Sequence, residues 1–316
     1  MTVGMKHRTS LGRAGSWKAG IKAQMFLFAR QRFNQGKRNA LKRRIAWGRK
    51  KLNAVYVLLY RRYTAPELIS ELKKRLPKDV DIVMVHSSYD RLLPMCTGAP
   101  QDLITELIKY CGTTCTLVMP AFVLGGRNYD KKEYFSRHAF DVTRTPSEMG
   151  LLTEVFRRTP GVLRSLHPTH SICAIGPLAH ALTAAHHRAP TRTGMGTPFE
   201  LMMEKRTAIV GLGIEYYRCL THSHTAEDML GEEFPISFRR ESIPVSLIDW
   251  RGNKLHYDLT IPHATKPVDN TVLRSLLSDQ ELIEWRFHGT AMFVTFANIV
   301  TERLIEAARS GITVYR

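Results

Sequence analysis

At 316 residues, with 44% apolar and 23% charged side chains, the chain has ordinary globular composition and length for one large or two modest domains. Its formal charge of +18 points to anionic partners, but seventeen of the 46 Lys and Arg fall between Lys6 and Arg62, before the first acidic residue, Glu67, leaving 29 basic residues against 28 acidic ones. Five cysteines (Cys96, Cys111, Cys115, Cys173, Cys219) without a short repeating pair exclude a disulfide-rich secreted framework and fit a cytoplasmic setting; no stretch approaches the ~20 apolar residues of a bilayer span, and no secretory apolar region opens the chain.

From about residue 21 to 62, Leu41, Ile45, Leu52, Val55 and Leu59 recur at helical steps among the basic residues, predicting a basic amphipathic helix. Such a helix suits a solvated extension, a helix lying on an anionic membrane surface, a nucleic-acid contact or a targeting peptide; nucleic acid is the less favoured partner. The composition changes near Tyr63–Pro66, dividing an extension, residues 1–63, from a domain, residues 64–316. Thr64 followed by Glu67 predicts a capped helix over Glu67–Leu76. The apolar runs Asp81–His86, Thr116–Pro120, Ser171–Ile175 and Thr207–Gly213 read as buried strands. Helices are predicted over Gln101–Tyr110, Ser147–Arg158, Pro177–His187 and Pro198–Lys205. Alternating strands and helices give a layered α/β domain, with pairing order unreadable.

Four polar clusters sit where these elements meet: His86-Ser87-Ser88; Thr145-Pro146-Ser147-Glu148-Met149-Gly150; Arg164-Ser165-Leu166-His167-Pro168; and Thr221-His222-Ser223-His224-Thr225-Ala226-Glu227. Strand ends and helix starts are where open α/β sheets hold ligands, and a helix starting at Ser147 would offer free N–H groups to an anionic or carbonyl group. Read singly, each serine is also a plain helix cap. In order and spacing, the four clusters together resemble the aminoglycoside 3-N-acetyltransferase family, with Phe140-Asp141, Gly176-Pro177 and Gly196-Thr197-Pro198 between them also similar. The resemblance runs from about Thr64 to the C-terminus. It implies a three-layer α/β/α domain with a central mixed sheet, acetyl-CoA as donor and an amine on a sugar as acceptor. It further implies a coenzyme path lined by His86, Ser87, Ser88, Ser147, Met149 and Gly150; Arg164 joins them as a phosphate contact on charge alone.

The chemistry explains the histidine. An amine attacks a thioester only as the free base, and an imidazole titrating near neutrality can take the proton released, a contribution of roughly 10²- to 10⁴-fold. His224 is the expected base, with Glu227 on the same helical face to fix its tautomer or hold the ammonium, and the turn after His86 as a source of oxyanion donors. His167 is a further catalytic candidate. His222-x-His224 also has metal-ligand spacing, which supports a metallohydrolase alternative, although no second clustered motif completes such a site and no metal is expected. Cys111 and Cys115 read as packing residues, which leaves direct transfer without an acyl-cysteine.

Aminoglycosides are polycations, whereas this domain is nearly neutral, although the acidic cluster Glu227, Asp228, Glu232 and Glu233 could supply a local cation site. A nucleotide- or lipid-linked amino sugar of surface-polysaccharide assembly is therefore the preferred acceptor, with the extension resting on the inner membrane face. An aminoglycoside is the alternative, and an inactive nucleic-acid- or membrane-binding protein is the alternative of another class. Nothing in the sequence sets an oligomeric state.

Overall fold

The computed structural model describes residues 55, 57–126 and 130–316. Most of the predicted basic helix lies outside them; at its described end, residues 57–59 are helical and Leu58 and Leu59 are exposed. No helix among the described residues is long and apolar enough to cross a membrane.

Helix α1 (Ala65–Lys73) is capped at Thr64 as expected but starts two residues before and ends three before the predicted Glu67–Leu76; the Thr64 N–H and hydroxyl both donate to the Glu67 carboxylate, at 2.8 and 3.0 Å. Strand β1 (Ile82–Ser87), helix α2 (Pro100–Cys111) and strand β2 (Thr116–Pro120) follow as read from the sequence. Helix α3 (Lys131–Arg137), strand β3 (Phe140–Asp141), helix α4 (Leu151–Arg157), strands β4 (Leu163–Arg164) and β5 (Ile172–Ile175) and helix α5 (Ala179–Thr183) lead to helix α6 (Pro198–Glu204) and strand β6 (Thr207–Leu212). Helix α7 (Thr225–Leu230), the long hairpin β7 (Arg239–Ile248) and β8 (Lys254–His263), strands β9 (Ile283–Phe287) and β10 (Thr290–Phe296) and helix α8 (Ala297–Arg309) complete the chain.

Seven strands form one mixed sheet in the order β4-β5-β2-β1-β6-β10-β9. Its centre is parallel, β1 lying between β2 and β6, and it is flanked by antiparallel pairings of β5 with β2 and of β10 with β6. Alternation along β1 sends Val83 and Val85 to a core shared with α1, α2 and α4, while Ile82 and Met84 meet α5, α6 and α8 on the other face. The domain is therefore the three-layer α/β/α arrangement that the resemblance implied, with a sheet covered on both faces. A second sheet, β3-β7-β8, closes a smaller core around Phe135, Phe140, Ile243, Val245 and Leu247.

Two predicted helices are shorter than expected. The one expected over Ser147–Arg158 starts only at Leu151, since Gly150 sits at φ 107° and the Ser147 N–H is taken by the Glu154 carboxylate at 2.9 Å. The one expected over Pro177–His187 ends at Thr183 and resumes as a 3₁₀ turn at His186–Arg188, because the His186 ring is drawn into the core to bond Ser165 and the Arg192 carbonyl.

Candidate active site

The parallel strands β2, β1 and β6 all end at one edge of the sheet, and β5, running the other way, begins there with Ile172 opposite Pro120. His86 and Ser87, the loop after Pro120, the His167–His170 turn and the segment after β6 that carries His224 meet at that edge. This is where an open α/β sheet leaves its strand ends to a ligand.

His224 closes a 3₁₀ turn, Thr221–His224, that runs directly into α7. Its Nδ1 lies 3.3 Å from Glu227 Oε1 and 3.5 Å from the Tyr315 hydroxyl. The Glu227 carboxylate is buried; Tyr315 donates to one oxygen and Arg192 pairs with the other. Burial alone would push the Glu227 carboxyl up, but the His224 and Arg192 charges and the Tyr315 hydrogen bond outweigh it and hold it below the usual carboxylate range. With Nδ1–H donated to Glu227, Nε2 has no hydrogen-bond partner among the described residues, on a side chain that is 25% exposed. A neutral imidazole so oriented can accept a proton from a nucleophile.

Around this pair the structure sorts the other expected residues. Ser87 and Ser88 are half-buried at the end of β1, and neither hydroxyl has a protein partner among the described residues. The Ser88 N–H, however, donates to the Leu212 carbonyl at 2.9 Å, so that amide is not a free oxyanion donor. His86 is buried on the face of Ile82 and Met84, where burial pushes its pKa down to about 4, so its ring lines the core beneath the site rather than a coenzyme channel. Ser147 and Met149 are half-buried in a loop tied down by the Glu148 N–H to the Phe122 carbonyl, ahead of the helix terminus, and the exposed Gly150 caps that terminus.

The third cluster is architectural. Arg164 is 1% exposed, with Nε on the Ser171 hydroxyl at 3.0 Å, one terminal nitrogen on the Ala121 carbonyl at 2.7 Å and the other on the Thr145 carbonyl. Its guanidinium also stacks 4.8 Å over Phe140, so it offers a phosphate nothing; it ties the large sheet to the small one. His167 is buried and its Nδ1 accepts the N–H groups of Thr169 and His170 at 3.3 and 3.0 Å. That geometry makes it the brace of a turn, not a base. His222 is fully buried against Phe199, its pKa pushed down to about 3 by burial and then by His86, so it shares no ligand face with the partly exposed His224. No group of three or more His, Cys, Asp or Glu gathers for a metal ion among the described residues. The expected acidic cluster is also divided: Glu227 and Asp228 pair with Arg192, while Glu232 and Glu233 face solvent.

Arg192, Tyr315 and Lys131 escaped the sequence reading. Arg192 lies in a loop without a motif, and Tyr315 reaches His224 from 91 residues away. Only the fold brings them together.

The structure is a three-layer α/β/α domain with a His-x-x-Glu pair near its parallel strand ends, and comparison with known proteins makes the class specific. Residues 84–290 match the family model described as aminoglycoside 3-N-acetyltransferase, and the chain belongs to that family. It is 26% identical over 179 residues to aminoglycoside N(3)-acetyltransferase III of Acinetobacter baumannii, covering 53% of this chain and 62% of that one. To aminoglycoside N(3)-acetyltransferase VII of Streptomyces paromomycinus it is 28% identical over 169 residues, or 49% and 58% of the two chains. The chain thus spans about three-fifths of the length of these curated relatives. Among solved structures, AAC-VIa bound to sisomicin superposes with a TM-score of 0.66 at 21% identity, over 79% of this chain and 98% of that one. AAC-IIIb with CoASH does so at 0.66 and 21%, over 80% and 99%. Both share the fold.

Proposed function

We propose that the domain transfers an acetyl group from acetyl-CoA to an amino group of an aminoglycoside-type amino sugar. The observation that carries this reading is the His224–Glu227 pair, with Nδ1 held by the carboxylate and Nε2 left free. In the proposed reaction the acceptor nitrogen attacks the thioester carbonyl while His224 Nε2 takes the proton that nitrogen sheds. The carbon–sulfur bond then breaks, and the proton passes from His224 to the departing thiolate, regenerating the neutral ring. Glu227 holds the imidazolium formed in between, and Arg192 and Tyr315 hold Glu227. The free hydroxyls of Ser87 and Ser88 are the proposed coenzyme contacts beside this pair, with Ser147 and Met149 on the adjoining loop. The relatives' names support an aminoglycoside acceptor; none supports the nucleotide- or lipid-linked amino sugar preferred on charge.

The test is thiol release from acetyl-CoA with sisomicin and with glucosamine as acceptors. His224→Ala is expected to lower the rate by roughly 10²- to 10⁴-fold with coenzyme affinity unchanged. Full activity in that variant overturns the assignment of the base. For the whole chain, residues 1–63 are proposed as an extension to a catalytic domain formed by residues 64–316, resting on an anionic membrane surface through residues 21–62; the exposed Leu58 and Leu59 and the concentrated basic charge support this.

A further inference from the structure

Acyl transfer to an amine passes through a tetrahedral carbon whose oxygen carries negative charge, and that oxygen needs a hydrogen-bond donor held in place beforehand. The Ser88 N–H, bonded to the Leu212 carbonyl, is not one. The turn that leads into β5 holds another. His170 closes that turn, its N–H donating to His167 Nδ1 at 3.0 Å, and its ring lies 4.8 Å from that of Phe122 in the loop after β2. Both segments belong to the sheet edge at which His224 is found.

His170 is 9% exposed, and its two ring nitrogens differ. Nδ1 lies 2.9 Å from the Thr169 hydroxyl. That hydroxyl has no other acceptor among the described residues, so the hydrogen-bond pattern assigns its proton to Nδ1 and the ring's own proton to Nε2. Nε2 has no protein partner among the described residues, yet it is not sealed in the core as His86 Nε2 and both His222 nitrogens are. Burial first, then the charges of Arg192, Lys131, His167 and His224, hold the His170 pKa well below the ordinary histidine value, so the ring is neutral. A neutral imidazole still donates a hydrogen bond, and surroundings that oppose a positive charge on the ring favour a negative charge placed against it.

We propose that His170 takes part in the acetyl transfer, its Nε2–H being the donor to the thioester carbonyl oxygen. As the acceptor nitrogen bonds to the carbonyl carbon, an electron pair moves onto that oxygen and is stabilised there by the Nε2–H, which keeps its proton. The pair returns to re-form the carbonyl as the carbon–sulfur bond breaks, and the thiolate takes the proton that His224 removed from the nitrogen. This role rests on the acetyl-transfer reading. Thr169 acts through the ring, as a positioning residue that fixes its tautomer.

The experiment compares the full chain with three variants: His170→Phe, which keeps a ring against Phe122 but has no N–H; His170→Gln, whose amide offers an N–H in its place; and Thr169→Val, which removes the hydroxyl. Thiol release with sisomicin reads kcat and KM, calorimetry reads acetyl-CoA affinity, and infrared spectroscopy reads the carbonyl stretch of bound, carbonyl-labelled acetyl-CoA. His170→Phe is expected to lower kcat by roughly 10²- to 10³-fold at unchanged acetyl-CoA affinity, and to lose the downward shift of the stretch that the parent imposes. His170→Gln should recover most of the rate, and Thr169→Val should lower kcat by less than His170→Phe does. Unchanged kcat in His170→Phe, or the same carbonyl stretch in it and in the parent, overturns the proposal; so does a His170→Gln variant as slow as His170→Phe. If His170→Phe does not fold, unchanged kcat in Thr169→Val overturns it equally. A parent that binds no acetyl-CoA, or releases no thiol with any amine, fails at the acetyl-transfer reading itself, a result distinct from a parent and a His170→Phe variant that turn over alike.

Discussion

At His224 the two ring nitrogens differ in their surroundings: Nδ1 is tied to a buried carboxylate, and Nε2 is the nitrogen that the proposed reaction gives to the acceptor. That division depends on Glu227 staying ionised while buried, which burial opposes and the neighbouring charges enforce. A carboxyl whose folded pKa lies below its unfolded value of about 4.3 contributes stability that is complete above that pH. The contribution is lost as pH falls through the folded value. Glu227→Gln should therefore lower stability at neutral pH by roughly 1–3 kcal/mol, the cost of leaving Arg192 and Tyr315 short of a charged acceptor, and should flatten the loss of melting temperature as pH falls below the unfolded value of about 4.3. Thermal unfolding of both proteins over that range checks the sign; a parallel acid limb in the variant contradicts the ionised assignment. The Arg164 reading shows how a residue's type misleads. An arginine beside a strand end has the charge for a phosphate, but full burial and three protein acceptors commit it to joining the two sheets.

Among the elements, β6 carries the site most directly, because it pairs with β1 on one side and β10 on the other and hands the chain to the His224 turn. Its Gly211 stands opposite both His86 and Phe293. A Cβ added there would lie 2.0 Å from the Phe293 ring, which is fully buried and has nowhere to move. Gly211→Ala is expected to cost about 1–3 kcal/mol, the usual range for overpacking, in a denaturant titration; an unchanged midpoint would contradict the close approach of β6 and β10. The helix elements show which local signals hold. The Thr64–Glu67 capping box set the start of α1 because both partners lie within one turn. The Thr145-Pro146-Ser147 signal did not start α4, because Glu154, seven residues on, captures the Ser147 N–H first. Strands β7 to β10 and α8 carried no reading at all; in β7 the buried Ile243, Val245 and Leu247 alternate with an outward Pro244, whose missing N–H is tolerated because β3 pairs only with the last two residues of that strand.

For the whole molecule, charge and chemistry are separated along the chain: the basic excess lies before Glu67, and the residues around His224 are nearly balanced. A chain lacking residues 1–62 is expected to keep thiol release while losing co-sedimentation with vesicles rich in anionic lipid, and the binding of the intact chain should weaken with salt. Equal co-sedimentation of the two removes the membrane role of the extension.

The ordered clusters, the layered α/β class and the His224–Glu227 pair were legible from sequence because each rests on short-range spacing: strand periodicity, a three-residue helical step, motifs in a fixed order. Which of these residues are buried and which stay accessible was decided only by tertiary structure. Burial turned His86, Arg164 and His167 inward and left Ser87, Ser88 and His224 at the strand ends. Arg192 and Tyr315 joined the pair from 35 and 88 residues away from Glu227. Burial and long-range ion pairing depend on how the layers pack, and spacing along the chain carries no record of that.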